Sequence, residues 1–246
     1  AGCTNSLHSH RTAEVFIIHS GKWRFFWGLY GDKGEVVLET GDVISLPTHM
    51  FRGFENITEL NESNPNGYGF MFAVLGGNDS GGGVLWAPQV IEAAQAHGLV
   101  LLENGLLIDT HHGESIPDRM LSRKPLEGAD LLAFDQNNIE DPDRVLARKS
   151  QSGNLILGTS DKAKIREMPG FEICRAVGFE TFELEGSNPT VLICNEGRFP
   201  IEDQLIEKGD VVYLDAGDFN KIEFSSACEV FLVTPTSDPA GPTKYL

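Results

Sequence analysis

Residues 2–21 have the sequence GCTNSLHSHRTAEVFIIHSG, in which one residue separates His8 from His10 and three residues separate His10 from Glu14. Side chains that alternate along a β-strand project to the same face, so His8 and His10 are predicted to point to one side of a strand. Glu14 is predicted to meet them from the next strand, after a short turn. Two imidazoles and a carboxylate suit a divalent transition metal, and they approximate the ligand set of non-haem iron oxygenases. The segment therefore predicts a metal site.

A second segment, residues 41–56, contains Gly41, then Pro47 after five residues, and ends at Asn56. Together the two segments resemble the paired motifs of the cupin superfamily. The first segment matches its motif at every defined position and spacing. In the second, Gly41 matches, but His49 stands where the family has glycine and Arg52 stands where it has a metal-binding histidine. The resemblance implies a mainly all-β fold and a metal site with one altered ligand position.

Arg52 leaves three interpretations open, because a guanidinium group stays protonated and cannot be a metal ligand. In the first, the metal stays on His8, His10 and Glu14, and Arg52 anchors an anionic substrate group beside it. In the second, His49 supplies the missing nitrogen from a shifted loop. In the third, Arg52 pairs with Glu14 and the barrel is metal-free, since a buried pair persists once formed.

The remainder of the chain indicates two barrels. Short strands separated by turns recur on both sides of a polar, proline-containing stretch, which favours antiparallel barrels. Pro88 is predicted to begin a helix that runs to about His97. Because the chain enters its motif at once, we expect the first strands of the first barrel to precede Ala1. The predicted organisation is two antiparallel jelly-roll β-barrels joined by a linker with a short helix, in the order 1–80 for the N-terminal cupin barrel, 81–153 for the connecting region with a helix near 88–97, and 154–246 for the C-terminal cupin barrel.

The second barrel is predicted to lack the metal motif. Residues 209–217 align with residues 41–49, which places Asn220 at the position of Arg52. Aligning Gly197 with Gly21 then places three poor ligands for a transition metal at the positions of the first motif. Those three residues are Leu184, Gly186 and Thr190. The resemblance therefore implies a bicupin whose second barrel is degenerate and contributes packing, a pocket wall or a dimer surface.

Composition narrows the partners and the location. The formal net charge is -17, which repels nucleic acid and anionic lipid surfaces at long range. The four cysteines have no CxxC spacing, and the chain contains neither a bilayer-length apolar run nor a signal-peptide pattern. We therefore expect a cytoplasmic protein that binds a small molecule rather than nucleic acid or membrane, with a homodimer as an open alternative.

These patterns lead to three functional hypotheses. The first is a metal-dependent enzyme of dioxygenase type that acts on a small anionic organic substrate, with Fe favoured and Mn, Ni or Zn as alternatives. The second is a metal-free isomerase or epimerase in which His8 or His10 is a general base. The third is a non-catalytic protein that binds a sugar or small anion, since a fold does not fix a function.

Overall fold

The computed structural model describes residues 1–76, 84–151, 153–167, 170–178, 181–183, 188–217, 221–224 and 227–236. The predicted two-barrel, mainly antiparallel architecture is confirmed. In the first half the strands are β1 Thr4–Ser9, β2 Glu14–Ser20, β3 Lys22–Trp27, β4 Gly34–Glu39, β5 Val43–Leu46, β6 Arg52–Asn56, β7 Phe70–Leu75 and β8 Leu85–Trp86.

The middle of the chain contains two short helices. Helix α1 begins with a proline at its first turn and ends before Gly98, whose φ of 81° is a left-handed conformation that favours glycine. Sequence reasoning found α1 but did not predict α2, because that segment has no sustained helical periodicity. The elements are α1 Pro88–Ala96, β9 Leu99–Leu101, β10 Leu107–Asp109, α2 Gly128–Leu132 and β11 Leu146–Ala147, with single 3-10 turns at Thr110–His112 and Pro142–Arg144.

The second half repeats the strand-rich pattern. Its largest sheet has the order β13-β12-β14-β21-β16-β19, with antiparallel neighbours except for the parallel pair β12 and β13. The strands are β12 Leu155–Gly158, β13 Ile165–Arg166, β14 Phe171–Val177, β15 Thr181–Glu183, β16 Thr190–Glu196, β17 Arg198–Ile201, β18 Gln204–Glu207, β19 Val211–Leu214, β20 Lys221–Glu223 and β21 Glu229–Pro235.

Two sheets form the first barrel, in the orders β4-β3-β6-β1-β8 and β11-β5-β2-β7. Strands β8 and β11 come from the segment predicted to connect the barrels, so that segment also contributes to the first barrel. The domain boundaries at residues 80 and 153 themselves stay a prediction. Among the described residues, neither helix combines the length and apolarity that a membrane span requires.

Strand β2 is buried on both faces, which explains its nearly continuous apolar sequence. Phe16 and Ile18 point into the first barrel and pack in its core. Val15 and Ile17 point the other way and pack against strands of the second half, including Phe231. A single strand therefore contributes to the first core and to the core between the two halves. Glu14 begins β2 on the face of Phe16 and Ile18, so its carboxylate enters the first barrel.

Candidate metal centre

Strands from both sheets of the first barrel bring the predicted site residues together. His8 lies on β1, Glu14 begins β2 and Arg52 begins β6. Strands β1 and β6 are antiparallel partners, with His8 opposite Arg52. His10 follows directly after the end of β1. The two sequence motifs therefore meet at one end of the first barrel.

His8, His10 and Glu14 converge as the sequence predicted. One potential ligand atom from each side chain lies within 4.8 Å of the other two. The imidazole rings of His8 and His10 stack with centroids 5.7 Å apart. The exposed fractions are 6% for His8, 3% for His10 and 8% for Glu14, so all three are removed from bulk water. The arrangement could hold a metal ion.

Backbone carbonyls select one tautomer for each histidine. His8 Nδ1 lies 2.8 Å from the carbonyl oxygen of Ser6, and His10 Nδ1 lies 2.8 Å from that of Thr12. A carbonyl only accepts hydrogen bonds, so we assign the ring proton of each neutral imidazole to Nδ1. Both Nε2 atoms then present lone pairs, and a carbonyl on the other ring nitrogen is the usual way in which a metal-binding histidine is oriented. The donor set therefore fits a divalent ion.

Arg52 is fully buried and lies against His10 and Glu14. We call His8, His10, Glu14 and Arg52 the cluster. The Nη2 atom of Arg52 is 3.3 Å from Glu14 Oε2 and within hydrogen-bond distance of His10 Nε2, while Nη1 donates to the carbonyl of Met50 at 3.0 Å. His10 Nε2 and Glu14 Oε2 are themselves only 3.0 Å apart. Two acceptors at this separation need a positive donor or ion between them, and the guanidinium of Arg52 provides it. This contact corresponds to the third interpretation of the sequence, in which Arg52 pairs with Glu14.

Burial and charge set the protonation states. Burial, reinforced by the charge of Arg52, lowers the pKa of His8 to about 4, so this imidazole is neutral at pH 7. Burial opposes ionisation of Glu14, but the close contact with His10 and the charge of Arg52 outweigh it and lower the pKa of Glu14. A neutral imidazole and a carboxylate are the forms that coordinate metals.

His49 does not belong to the converging group of described residues. Its backbone has a φ of 54°, a left-handed conformation that glycine adopts more readily than histidine. Its side chain is half-buried and contacts Thr48 Oγ1 at 3.3 Å through Nδ1. Burial lowers the pKa of His49, and the charges of Arg11 and Arg52 lower it further. His49 therefore lies beside the cluster, within reach of the positive charges of Arg11 and Arg52.

Residues 134–137, here called the strap, lie against the residues that flank His10. The backbone N–H groups of residues 136 and 137 donate to the carbonyl of His49 at 2.8 and 3.0 Å. Asn137 Nδ2 donates to the carbonyl of Thr48 at 2.8 Å, and Ser9 Oγ donates to that of Phe134 at 2.6 Å. Sequence reasoning missed the strap because its residues have no periodicity or motif.

A separate apolar cavity lies next to the cluster. It has a volume of about 350 Å³ and is bounded by α1, β9 and β10 on one side and by Ser6 and Trp86 on the other. The ring of Trp86 is 5.4 Å from that of His8. Trp86 therefore contacts both the cavity and the site.

The second barrel has a different interior. Thr190 is buried, and its hydroxyl hydrogen-bonds to that of Thr234 at 3.1 Å. Leu184, Gly186 and Asn220, the other predicted equivalents of the motif residues, lie outside the described residues. Within the part of the second half that the structure describes, no group of converging metal ligands occurs.

Comparisons with known proteins bear on the fold. No family model and no curated protein matches the chain. Among solved structures, the oxalate decarboxylase of Lactobacillus farciminis in complex with formate has 12% identity and a TM-score of 0.50, over 100% of this chain and 76% of that one. The pirin YhhW of Escherichia coli in complex with nickel(II) has 10% identity and a TM-score of 0.46, over 95% and 76%. YhaK of the same organism has 12% identity and a TM-score of 0.42, over 96% and 81%. At 12% identity, the likeness to the oxalate decarboxylase concerns the fold alone, which here consists of two mainly antiparallel barrels.

Proposed function

We propose that the first barrel is the active site of a metal-dependent enzyme that acts on a small anionic organic substrate. His8, His10 and Glu14 would hold a divalent ion, and Arg52 would bind the negatively charged group of the substrate. The observation that supports this most is that backbone carbonyls hold Nδ1 of both histidines while a potential ligand atom of each converges with one of Glu14. A purely structural histidine pair does not require this shared arrangement.

An oxygenase of dioxygenase type is the reaction class that we favour. Two imidazoles and one carboxylate leave coordination positions open, which is the arrangement of non-haem iron oxygenases. Fe is accordingly the first choice, with Mn, Ni or Zn as alternatives. When bound, such an ion supplies Lewis-acid or redox chemistry to a substrate beside it. We propose a cytoplasmic location for this enzyme.

The charges around the site favour an anionic substrate. Arg52 keeps its proton at any working pH and presents a planar fork that matches a carboxylate. Arg11 adds a second positive charge close to His49 and the strap, with its guanidinium 5.0 Å from the ring of Phe134. This local excess contrasts with a net charge of -17 for the whole chain. Such a positive patch attracts a small anion that the remaining surface repels.

The metal content of the purified protein tests the proposal. We expect about one ion per chain after expression in iron-supplemented medium, and a loss of at least tenfold in His10→Ala, because one of three ligands is gone. His97→Ala is the matched control, since His97 follows α1, lies outside the converging group and has its ring Nδ1 2.8 Å from the carbonyl oxygen of Ala93. A wild-type protein that contains no metal after supplementation with Fe, Mn, Ni and Zn would contradict the metal site.

The role of Arg52 has its own test. Arg52→Ala should retain metal and weaken the binding of a small carboxylate by roughly tenfold to a hundredfold, the range expected when a charged hydrogen-bond partner is lost. Calorimetric titration of the metal-loaded variant with acetate measures this. Unchanged acetate affinity would show that Arg52 does not bind the anion.

The contact of Arg52 with Glu14 and His10 favours one alternative. A guanidinium already between the two acceptors neutralises Glu14, so a metal-free site could use His8 or His10 as a general base or could bind a sugar or anion without turnover. Treatment with a strong chelator separates the two proposals. Turnover, or ligand protection against thermal unfolding, survives chelation in the metal-free case and is lost in the metal-dependent case.

A further inference from the structure

Arg52 lies where it hinders the binding of a metal ion. Its Nη2 atom contacts His10 Nε2 and Glu14 Oε2, which are two of the three atoms that a metal ion would use. The same Nη2 atom also lies 3.1 Å from His10 Nδ1, so the guanidinium is pressed against the ring beside Nε2. An ion bound to Nε2 and Oε2 would be in direct contact with this positive charge, which repels it. An ion can therefore bind only if Arg52 gives up these contacts.

Release of Arg52 is costly in this environment. The side chain is fully buried and cannot lose its proton. Removing the partner of a buried charge is strongly unfavourable, because the remaining charge stays without compensation. A divalent ion would add two further positive charges to a cluster in which Glu14 and Arg52 now cancel. The ion alone would therefore meet both an electrostatic and a desolvation penalty.

An anion removes both penalties. It takes the place of Glu14 as the partner of Arg52, and its charge offsets part of the charge that the ion introduces. Arg11 and His49 lie beside Arg52, on the side where the strap contacts the site, and the closeness of the two arginines to His49 marks a positive approach to the cluster. A planar carboxylate matches the two parallel donors of a guanidinium.

We propose that a divalent ion and a small carboxylate bind the first barrel cooperatively, because Arg52 exchanges Glu14 for the carboxylate when the ion takes up Glu14. This inference rests on the proposed metal site and goes beyond it. Each ligand strengthens the binding of the other by the same factor, as linkage requires. A metal site without this exchange would bind its ion equally well with and without the anion.

Calorimetric titration with Co²⁺ as the probe ion tests the proposal on the full chain. The titration is run in sodium chloride and in sodium acetate at equal ionic strength and pH. We expect acetate to tighten the binding of Co²⁺ by roughly tenfold to a hundredfold, the usual range of coupling between sites. In Arg52→Gln the Co²⁺ affinity in chloride should rise and the effect of acetate should disappear, since no buried cation is left to be stranded.

Control measurements remove the ambiguities of this experiment. Arg24→Gln removes an arginine that is paired with Glu55 on β6 but is partly exposed, so the coupling should stay at its wild-type value. Arg52→Lys keeps the charge and should keep most of the coupling. The reciprocal titration of wild-type protein with acetate, with and without Co²⁺, must give the same factor and needs no variant, so a failure of Arg52→Gln to fold leaves the test intact.

The outcomes separate the two proposals. If wild-type protein binds Co²⁺ with the same affinity in chloride and acetate, the coupling is wrong and the metal site stands. If neither wild-type protein nor any Arg52 variant binds Co²⁺ in either salt, the metal site itself is wrong. Coupling that persists in Arg52→Gln would show that the anion acts elsewhere and would overturn the exchange.

Discussion

The two barrels share a fold but differ in their interiors. In the first, four ionisable side chains meet in a buried cluster: His8, His10, Glu14 and Arg52. In the second, the core is apolar and includes an edge-to-face contact between Phe199 and Phe224 with centroids 4.9 Å apart. The second half also buries charged side chains, Glu167, Arg175 and Glu229, but they form no group of converging metal ligands among the described residues. Chemistry in this fold depends on a few inward positions rather than on the architecture.

The largest expected contrast between the barrels is in stability. Glu14→Ala leaves Arg52 buried without its carboxylate and should reduce the free energy of unfolding by about 3 to 5 kcal/mol. Thr190→Ala, at the position aligned with Glu14, removes one neutral hydrogen bond to Thr234 and should cost about 1 kcal/mol. Urea unfolding of metal-free protein measures both. Equal losses would show that the first barrel tolerates the unpaired charge.

Acid sensitivity should arise from the first barrel. The pKa of His8 is about 4 in the folded chain and 6.5 in an ordinary histidine, so the unfolded chain binds more protons between these values. Stability is then full above pH 6.5 and falls as the pH drops toward 4, by on the order of 3 kcal/mol. The lowered pKa of Glu14 adds a further loss at more acidic pH.

Unfolding of metal-free protein across this pH range measures the effect. His8→Asn cannot titrate and should show a smaller loss between pH 6.5 and 4. All seven histidines lie between positions 8 and 112, so histidine protonation in the second barrel adds nothing to this loss. The same pH dependence in His8→Asn as in wild type would assign the proton uptake to another group.

A smaller contrast concerns the loop that precedes the altered ligand position. His49 has a φ of 54° and its aligned residue Gly217 has a φ of 87°, so both loops turn through the left-handed region. His49→Gly should raise the free energy of unfolding by up to about 1 kcal/mol, and Gly217→Ala should lower it by about 1 kcal/mol. Urea midpoints measure both. His49→Ala is the control, since it removes the ring but retains the strain; changes of the same sign in His49→Gly and Gly217→Ala would refute this account.

The sequence predicted the fold and the convergence of His8, His10 and Glu14 because both depend on local spacing. Alternation along β1 and a turn into β2 are enough to bring the three side chains together. The contact of Arg52 with Glu14 was one of three interpretations, because the direction of a long side chain depends on packing that no motif encodes. Its pairing with His10 was not predicted at all.

Features that depend on contacts between distant segments could not be predicted from the sequence. The strap reaches His49 from the middle of the chain, and its backbone hydrogen bonds are independent of side-chain identity. Strands β8 and β11 are only two residues long and join the first barrel through partners far away in sequence. Short elements with few side chains give no periodic signal, so only the three-dimensional structure identifies them.

The strap also has a kinetic consequence. Because its hydrogen bonds hold Thr48 and His49 beside a cluster that is buried from water, we expect a ligand that approaches from this side to enter after part of this region opens. We expect the observed association rate to level off as ligand concentration rises, at a value set by the opening step. Replacement of Asn137 would then accelerate entry and exit alike, with little change in equilibrium affinity.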